Sequence, residues 1–167
     1  MKEDLIIRKA LNYDAKGIHE VLLAAFEEFR YFYTPEGFKD TVMSEEDVIE
    51  RMKEMTIYVA IDDHQTIIGT IGWQKIDNEE AHIRGMAVHP KWQGEKSPAA
   101  TLLSAVEKDA IKEGFTYLTL DTTTVLKRAR SFYKKHGFEK TGKNGNFFGS
   151  IIYEYIKYLN IEQKEKI

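Results

Sequence analysis

A polar loop between a predicted strand and a predicted helix contains the residues best suited to bind an anion. The loop spans residues 89–98 and follows the apolar strand end at residues 86–88. The first N–H groups of the following helix have no acceptor inside the helix, and the helix dipole adds positive charge there. Such a helix start can bind phosphates. On its own, the segment is more typical of an ordinary strand-to-helix connection capped by Ser97.

The hydrophobic pattern divides the chain into strands and helices that would position this loop. Alternating or β-branched runs predict strands near residues 5–7, 58–61, 66–75, 81–88, 116–120, 138–141 and 147–156. Apolar residues at helical spacing predict helices near residues 14–29, 44–55, 98–113 and 125–136. We therefore expect a single α/β (α+β) domain over residues 1–167. Its mixed sheet should have about seven strands, flanked by about four helices.

Local signals predict where several of these elements begin and end. Ser44 starts a capping box, and Gly114 stands where a left-handed helix cap belongs. The aromatic stretch of residues 29–38 contains Pro35-Glu36-Gly37 and is predicted to be a loop. Asn144-Gly145 is predicted to be the turn of a hairpin.

Composition argues against several classes of function. The net charge of −3 does not fit a nucleic-acid binder, which needs a basic surface. The absence of cysteine removes disulfides, thiolate metal sites and a cysteine nucleophile, and we expect no metal. A nucleotide hydrolase is disfavoured because no Gly-x-x-x-x-Gly-Lys-Ser/Thr loop is present. The charged N-terminus and the lack of a long apolar run predict a cytoplasmic protein without membrane contact.

Two segments resemble motifs of the GNAT superfamily of N-acetyltransferases. Met86-Ala87-Val88-His89-Pro90-Lys91-Trp92-Gln93-Gly94 resembles motif A, in which a strand leads into a Gln/Arg-x-x-Gly-x-Gly/Ala loop. Ala129-Arg130-Ser131-Phe132-Tyr133-Lys134-Lys135-His136-Gly137-Phe138 resembles the later signature, an Ala followed by Phe-Tyr and Gly-Phe. The order of predicted elements is similar over nearly the whole chain. The resemblance implies acetyl-CoA as cosubstrate and direct attack by a neutral primary amine, through a tetrahedral intermediate.

The resemblance also implies where coenzyme A would bind. The backbone of Val88 would pair with the pantetheine arm in the manner of an added strand. A backbone amide near Met86 would donate to the oxyanion, exposed by a bulge that Gly85 allows. The cofactor-binding residues implied in this way are Met86, Ala87, Val88, Gln93, Gly94, Glu95, Lys96, Ser97, Ala99 and Lys127.

The phosphate loop departs from the family pattern at its glycines. Counting from Gln93, the two family glycines fall on Lys96 and Pro98, and proline offers no N–H. The family often has an Asn seven residues before Tyr133, where this chain has Leu126. These differences motivate a second interpretation: a catalytically inactive GNAT-like module that binds acyl-CoA or a protein partner.

The resemblance implies Tyr133 as the acid that protonates the departing thiolate. A phenol with an ordinary pKa of about 10 holds its proton at neutral pH. His82 takes the position of a Glu that serves as the base in several family members, and histidine titrates near neutrality. Glu79 and Glu80 lie just upstream as substitutes. Tyr133 is alternatively a core aromatic, and His82 a half-buried strand residue.

The acceptor amine is expected to approach over residues 29–38. Phe29 and Tyr31 are predicted to line its pocket, and Glu28 to favour a cationic substrate. The alternative is an aromatic mini-core with solvated carboxylates around it. We expect a small-molecule or peptide amine as the partner, and the family's frequent dimers make a homodimer a further expectation.

Overall fold

A computed structural model describes residues 4–159 of the chain. The elements are β1 (Ile6–Lys9), α1 (Ala15–Phe26), α2 (Pro35–Thr41), α3 (Glu45–Arg51), β2 (Thr56–Ile61), β3 (Ile67–Lys75), β4 (Glu80–Val88), α4 (Ala99–Glu113), β5 (Tyr117–Thr122), α5 (Lys127–Lys135), β6 (Glu139–Phe147) and β7 (Ser150–Tyr158). Short 3-10 helices lie at Asn12–Asp14, Glu27–Phe32 and Pro90–Trp92. The predicted order of strands and helices is confirmed, with one additional helix, α2.

The strands form one mixed sheet of seven strands, as predicted, and their order in the sheet is β1-β2-β3-β4-β5-β7-β6. Neighbours are antiparallel except β4 and β5, which α4 connects as a parallel pair. β4 and β5 pair only from Glu80↔Tyr117 to His82↔Thr119, although both strands continue beyond these residues. The two strands therefore separate toward their carboxyl ends and leave a gap in the sheet.

Helices cover both faces of the sheet. Leu102, Leu103 and Val106 of α4 are buried in one apolar cluster, together with side chains of β4, β5 and α5. Ile18 of α1 and Val48 of α3 are buried in a second cluster on the other face. Each fully buried aliphatic side chain contributes roughly 1.5–3 kcal/mol to stability. These clusters hold the rigid strands that flank the gap.

The segment of residues 29–38 is not the loop that its composition predicted. Thr34 Oγ1 accepts from the Gly37 N–H at 3.1 Å and caps α2, and Pro35 occupies the first turn. Proline suits this position because its missing N–H would have no helical acceptor anyway. The Pro-Glu-Gly sequence that indicated a turn is therefore a helix start, which accounts for the extra helix.

The hairpin between β6 and β7 also turns at a different place from the predicted Asn144-Gly145. These two residues lie within β6, paired with β7. The turn is Phe148-Gly149, where both residues have positive φ, 49° and 92°. The N–H of Gly149 donates to Asn146 Oδ1 at 2.7 Å, and Thr34 Oγ1 donates to the Phe148 carbonyl at 2.8 Å. This long-range contact helps to hold the turn at Phe148-Gly149.

Candidate active site

The gap between β4 and β5 opens beside a β-bulge. Gly85 has a φ of 67°, in the left-handed region that favours glycine, and the β3–β4 register shifts between Thr70 and Gly72. Ala81 packs in the α4 cluster, whereas Ala87 packs in the α1 cluster on the opposite face. Because of this extra residue, side chains after Gly85 point to the opposite face from the one that regular alternation along β4 would give them. The bulge predicted at Gly85 is confirmed.

The backbone of Val88 faces the gap. The N–H of His89 donates to the Ile68 carbonyl of β3 at 2.8 Å. Successive residues of a strand point their backbone groups to opposite sides, so the N–H and carbonyl of Val88 point away from β3. Gln93 Nε2 donates to that carbonyl at 3.2 Å, and Arg128 donates to Gln93 Oε1 at 2.6 Å. Gln93 therefore links the end of β4 to α5.

The loop before α4 has both free donors and a side-chain cap. The N–H of Ala99 donates to Ser97 Oγ at 3.1 Å, and the N–H of Leu102 donates to the Pro98 carbonyl at 2.9 Å. The N–H groups of Ala100 and Thr101, which lie between Ala99 and Leu102, have no acceptor inside the helix. Gly94 has a φ of 98° and open space where a side chain would stand. Ser97 thus satisfies the first N–H of the helix from the position before the N-cap, Pro98, and leaves the next helix-start donors available to a ligand.

Buried polar atoms near the gap fit a polar ligand. Thr122 Oγ1, at the end of β5, and Arg130 Nε, in α5, are buried without a hydrogen-bond partner among residues 4–159. An unpaired buried polar group costs about 1–3 kcal/mol. An amide- and phosphate-bearing molecule in the gap would bring the partners that these atoms lack. The predicted residues Glu95, Lys96 and Lys127 are exposed around the same loop and helix.

His82 connects β4 to β5 at the point where the strands part, and its side chain is 15% exposed. Its Nδ1 lies 2.6 Å from Thr119 Oγ1, and that hydroxyl donates to Glu80 Oε2 at 2.6 Å. Since a hydroxyl has a single hydrogen, the Thr119 oxygen must accept from Nδ1–H of His82 when Glu80 is ionised. Nε2 then carries the lone pair and lies 3.3 Å from Asp121 Oδ2. Nε2 is thus the ring nitrogen left free to act as an acceptor, and Asp121 lies beside it.

Tyr133 lies on the face of the sheet opposite to His82. Ala81 and Ile83 pack in the α4 cluster, so the intervening His82 points to the other face, while Tyr133 is buried in the α4 cluster. Its ring centroid lies 5.5 Å from that of Phe138. Burial raises the pKa of the Tyr133 hydroxyl, so the phenol is protonated at neutral pH. The core interpretation of Tyr133 is thus correct, and its protonation state also suits an acid.

The predicted acceptor residues lie on and beside the 3-10 helix between α1 and α2. Phe29 is half-buried, Glu28 is exposed, and Tyr31 is 96% exposed, so Tyr31 packs against almost nothing. Neighbouring Tyr33 packs between Phe26 and Phe38, with centroids 6.5 Å apart in each pair. The structure thus contains an aromatic mini-core here, and it is formed by Phe26, Tyr33 and Phe38.

A charged cluster on the His82 face was missed from the sequence. Arg84, two residues after His82, lies 3.6 Å from Asp40 of α2, and Arg51 of α3 lies 2.7 Å from the same carboxylate. Arg84 could have been found from the sequence, because residues two apart on a strand share a face and Arg84 is two residues after His82. Asp40, Arg51 and Asp121 could not, because tertiary packing alone brings them to this face.

Other kinds of site are not found in the described part of the chain. Among residues 4–159, no group of three or more histidine or acidic side chains could hold a metal ion. None of the helices in this range combines the length and hydrophobicity that crossing a bilayer requires.

Comparison with known sequences identifies one family. The model of the acetyltransferase (GNAT) family matches residues 18–138 of the chain, which include the gap, its loop and both motifs. No curated protein sequence matches the chain significantly.

Solved structures share the fold over almost the full chain. The PaiA N-acetyltransferase of Thermoplasma acidophilum, solved in complex with coenzyme A, is 23% identical with a TM-score of 0.78, covering 93% of this chain and 99% of that one. A GNAT-family acetyltransferase of Staphylococcus aureus Mu50 is 21% identical, with a TM-score of 0.78 and coverages of 94% and 100%. Ard1 of Thermoplasma volcanium is 19% identical, with a TM-score of 0.75 and coverages of 93% and 98%. These similarities establish the fold.

Proposed function

The chain belongs to the acetyltransferase (GNAT) family, and from that premise we propose that it transfers an acetyl group from acetyl-CoA to a primary amine. The neutral amine attacks the thioester directly, through a tetrahedral intermediate. One observation carries the proposal: His82 lies where β4 and β5 part, and the protonated Tyr133 is buried on the opposite face of the sheet. Acetyl-CoA supplies the activated acetyl group and the thiolate leaving group.

Coenzyme A is held by the free edge of β4 and the loop before α4. The N–H of Val88 faces the gap and can donate to an amide of the pantetheine arm. The free N–H groups at the start of α4 can donate to phosphates, and Lys96 and Lys127 add positive charge. The proposed contact residues are Met86, Ala87, Val88, Gln93, Gly94, Glu95, Lys96, Ser97, Ala99 and Lys127.

His82 acts as the base. The hydrogen bonds from His82 to Thr119 and from Thr119 to Glu80 keep a hydrogen on Nδ1, so Nε2 takes the proton of the acceptor amine, directly or through water. Asp121 stabilises the resulting imidazolium. Glu80 thus supports His82 rather than replacing it as the base.

Tyr133 acts as the acid, and the bulge at Gly85 exposes an oxyanion donor. The tyrosine lies in the same apolar cluster as Met86, on the side of the gap away from His82, so base and acid approach the thioester from opposite faces. Its phenol is protonated at neutral pH, so a proton is present when the thiolate forms, and burial makes it a weaker acid than an exposed tyrosine. The N–H of Met86, next to the bulge, donates to the developing oxyanion.

The acceptor approaches on the His82 face, over the segment that joins α1 to α2. Phe29, Tyr31 and Glu28 line its path in this proposal. The exposed position of Tyr31 leaves its ring available to a substrate, and aromatic rings bury large apolar areas when a ligand covers them.

An inactive acyl-CoA-binding module is the second candidate function. It is favoured by Lys96 and Pro98 in the loop and by the Gln93 amide, which already occupies the Val88 carbonyl. Thermal unfolding with acetyl-CoA and thiol release on a panel of amines separate the two functions. The enzyme raises its Tm with acetyl-CoA and releases thiol only when an amine is present. A raised Tm without thiol release supports the module, and no shift at millimolar acetyl-CoA rejects both.

A further inference from the structure

Arg84 is a charged residue of the site that none of the proposed steps uses. It lies two residues after His82 on β4, and both side chains point to the face covered by α1, α2 and α3. Two residues of a strand span about 6.6 Å. Arg84 and His82 are therefore neighbours on the same face of β4.

The guanidinium of Arg84 shares its anionic partner, Asp40, with Arg51. Arg51 binds Asp40 Oδ1 at 2.7 Å, whereas Arg84 Nη2 lies 3.6 Å from Asp40 Oδ2, beyond hydrogen-bond distance. One carboxylate is thus shared by two guanidiniums. Burial and then the charge of Arg51 lower the pKa of Arg84, and the charges of Asp40 and Asp121 offset this only in part, while arginine stays protonated. The side chain is 34% exposed, which lets a ligand reach it.

Both guanidiniums border a small cavity with mostly apolar walls. Ile18, Met43 and Met55 form part of the remaining lining. The apolar side chains of this lining offer the two guanidiniums no hydrogen-bond acceptors. At about 10 Å³ this cavity is too small for a carboxylate, so an anion would meet Arg84 on the exposed side of its side chain, through charge-assisted hydrogen bonds.

We propose that Arg84 binds a carboxylate of the acceptor, so that the substrates are amino-acid-like primary amines. The two ends of an α-amino acid match the charges on this face: Asp121, beside His82 Nε2, attracts the ammonium end, and Arg84 binds the carboxylate end. Guanidinium and carboxylate form paired hydrogen bonds of fixed geometry. A polyamine would instead bring a second cation against Arg84 and Arg51. This inference rests on the proposed acetyl transfer.

The test compares α-amino acids with their α-carboxamides, which keep the amine and the side chain but lack the charge. The measured quantity is the ratio of kcat/KM for the acid to kcat/KM for the amide. Comparing this ratio between protein variants cancels the different basicities of the two amines. The proteins are wild type, Arg84→Gln, Arg84→Lys and, as a matched loss of positive charge elsewhere, Lys108→Gln on the exposed side of α4.

We expect Arg84→Gln to lower the ratio about tenfold or more, since a charge-assisted hydrogen bond is lost. Arg84→Lys should retain part of the preference for the acid. Lys108→Gln should keep the ratio within about twofold of the wild-type value, because Lys108 lies away from the site. Equal ratios in wild type and Arg84→Gln overturn the inference and leave the proposed function standing. Absence of transfer to acids, amides and simple amines overturns the proposed function itself.

A binding experiment on the wild-type protein covers the case in which Arg84→Gln does not fold. N-acetyl amino acids and their N-acetyl carboxamides carry no titrating amine, and both resemble the product. We expect the acid to inhibit transfer about tenfold more strongly than the amide, at equal acetyl-CoA. Equal inhibition by the two compounds contradicts a carboxylate site at Arg84.

Discussion

At the scale of single residues, the surroundings of His82 decide which of its nitrogens can accept a proton. Thr119 cannot donate to the imidazole while it donates to Glu80, so the hydrogen stays on Nδ1. Nε2, beside Asp121, is left as the basic atom. A histidine elsewhere on the strand would lack these contacts with Thr119 and Asp121. The contacts, and not the residue type alone, therefore support His82 as the base.

Replacing His82 should change how activity depends on pH. A general base works only in its unprotonated form, so a kcat/KM profile with an acid limb is expected for the wild type. We expect His82→Ala to lower kcat by about 100-fold and to remove that acid limb from the kcat/KM profile. His64→Ala, on the exposed turn after β2, is the control and should keep both. An acid limb that persists in His82→Ala rejects His82 as the base.

Removing only the hydroxyl of Tyr133 tests the acid. Tyr133→Phe keeps the ring that packs on Phe138, so the fold and the affinity for acetyl-CoA should change little. We expect kcat to fall about 100-fold or more in thiol release, with Kd for acetyl-CoA within about threefold by calorimetry. Tyr158→Phe, on an exposed side chain of β7, controls for loss of a phenol. Unchanged turnover in Tyr133→Phe would remove it from the mechanism.

The candidate catalytic pair came from motif spacing, whereas its support came from packing. The resemblance to the GNAT motifs identified both: His82 by its position six residues before Val88, and Tyr133 by the aligned Phe-Tyr pair. Thr119 and Asp121 were not, because the parallel pairing of β4 with β5 joins segments separated by the whole of α4. Parallel register of this kind leaves no local signal in a sequence.

At the scale of elements, the junction of β1 with α1 depends on one buried carboxylate. Asp14 accepts from Arg8 at 2.7 and 3.0 Å and from the Leu11 N–H at 2.7 Å. Burial alone would raise the pKa of Asp14, but the hydrogen bonds from Arg8 and Leu11 outweigh it and hold the pKa below its ordinary value. Ionised Asp14 therefore stabilises the native state.

Replacing Asp14 should lower stability in a pH-dependent way. We expect Asp14→Asn to reduce the free energy of unfolding by about 2 kcal/mol at pH 7, measured with urea. The native pKa lies below the unfolded value of about 3.9, so the contribution is complete above that value and is lost as pH falls through the native pKa. The free energies of unfolding of the wild type and of Asp14→Asn should thus converge as the pH falls below about 4. Asp63→Asn, on an exposed turn, is the control; a difference that stays constant down to pH 2 contradicts the account.

Elements with one strong local signal were predicted best. α4 has a continuous apolar stripe and ends at Gly114 with a φ of 90°, as expected. α2 was missed because its helix-start proline and its Gly37 also fit a turn. The turn of the β6–β7 hairpin was predicted at the wrong place because Asn-Gly is a strong turn signal. The contact from Thr34 instead favours a turn at Phe148-Gly149.

At the scale of the whole molecule, the gap divides the sheet into a β1–β4 part and a β5–β7–β6 part. Three residue pairs join β4 to β5, and the Gln93–Arg128 and Thr34–Phe148 hydrogen bonds connect the two sides elsewhere. A ligand in the gap would contact both parts, so binding should stabilise the entire domain by about 2.7 kcal/mol at a concentration 100 times its Kd. The mixed sheet was predictable from the order of its elements, but the length of the β4–β5 pairing was not.

Transfer of a labelled acetyl group tests the central claim most directly. The protein is incubated with acetyl-CoA carrying an isotopically labelled acetyl group and with amino acids, polyamines and amino-terminal peptides, and products are identified by mass spectrometry. We predict a labelled N-acetyl amide formed over many turnovers per chain, most efficiently on carboxylate-bearing amines. Absence of labelled amide on every acceptor, at an acetyl-CoA concentration that saturates the protein, would contradict the account.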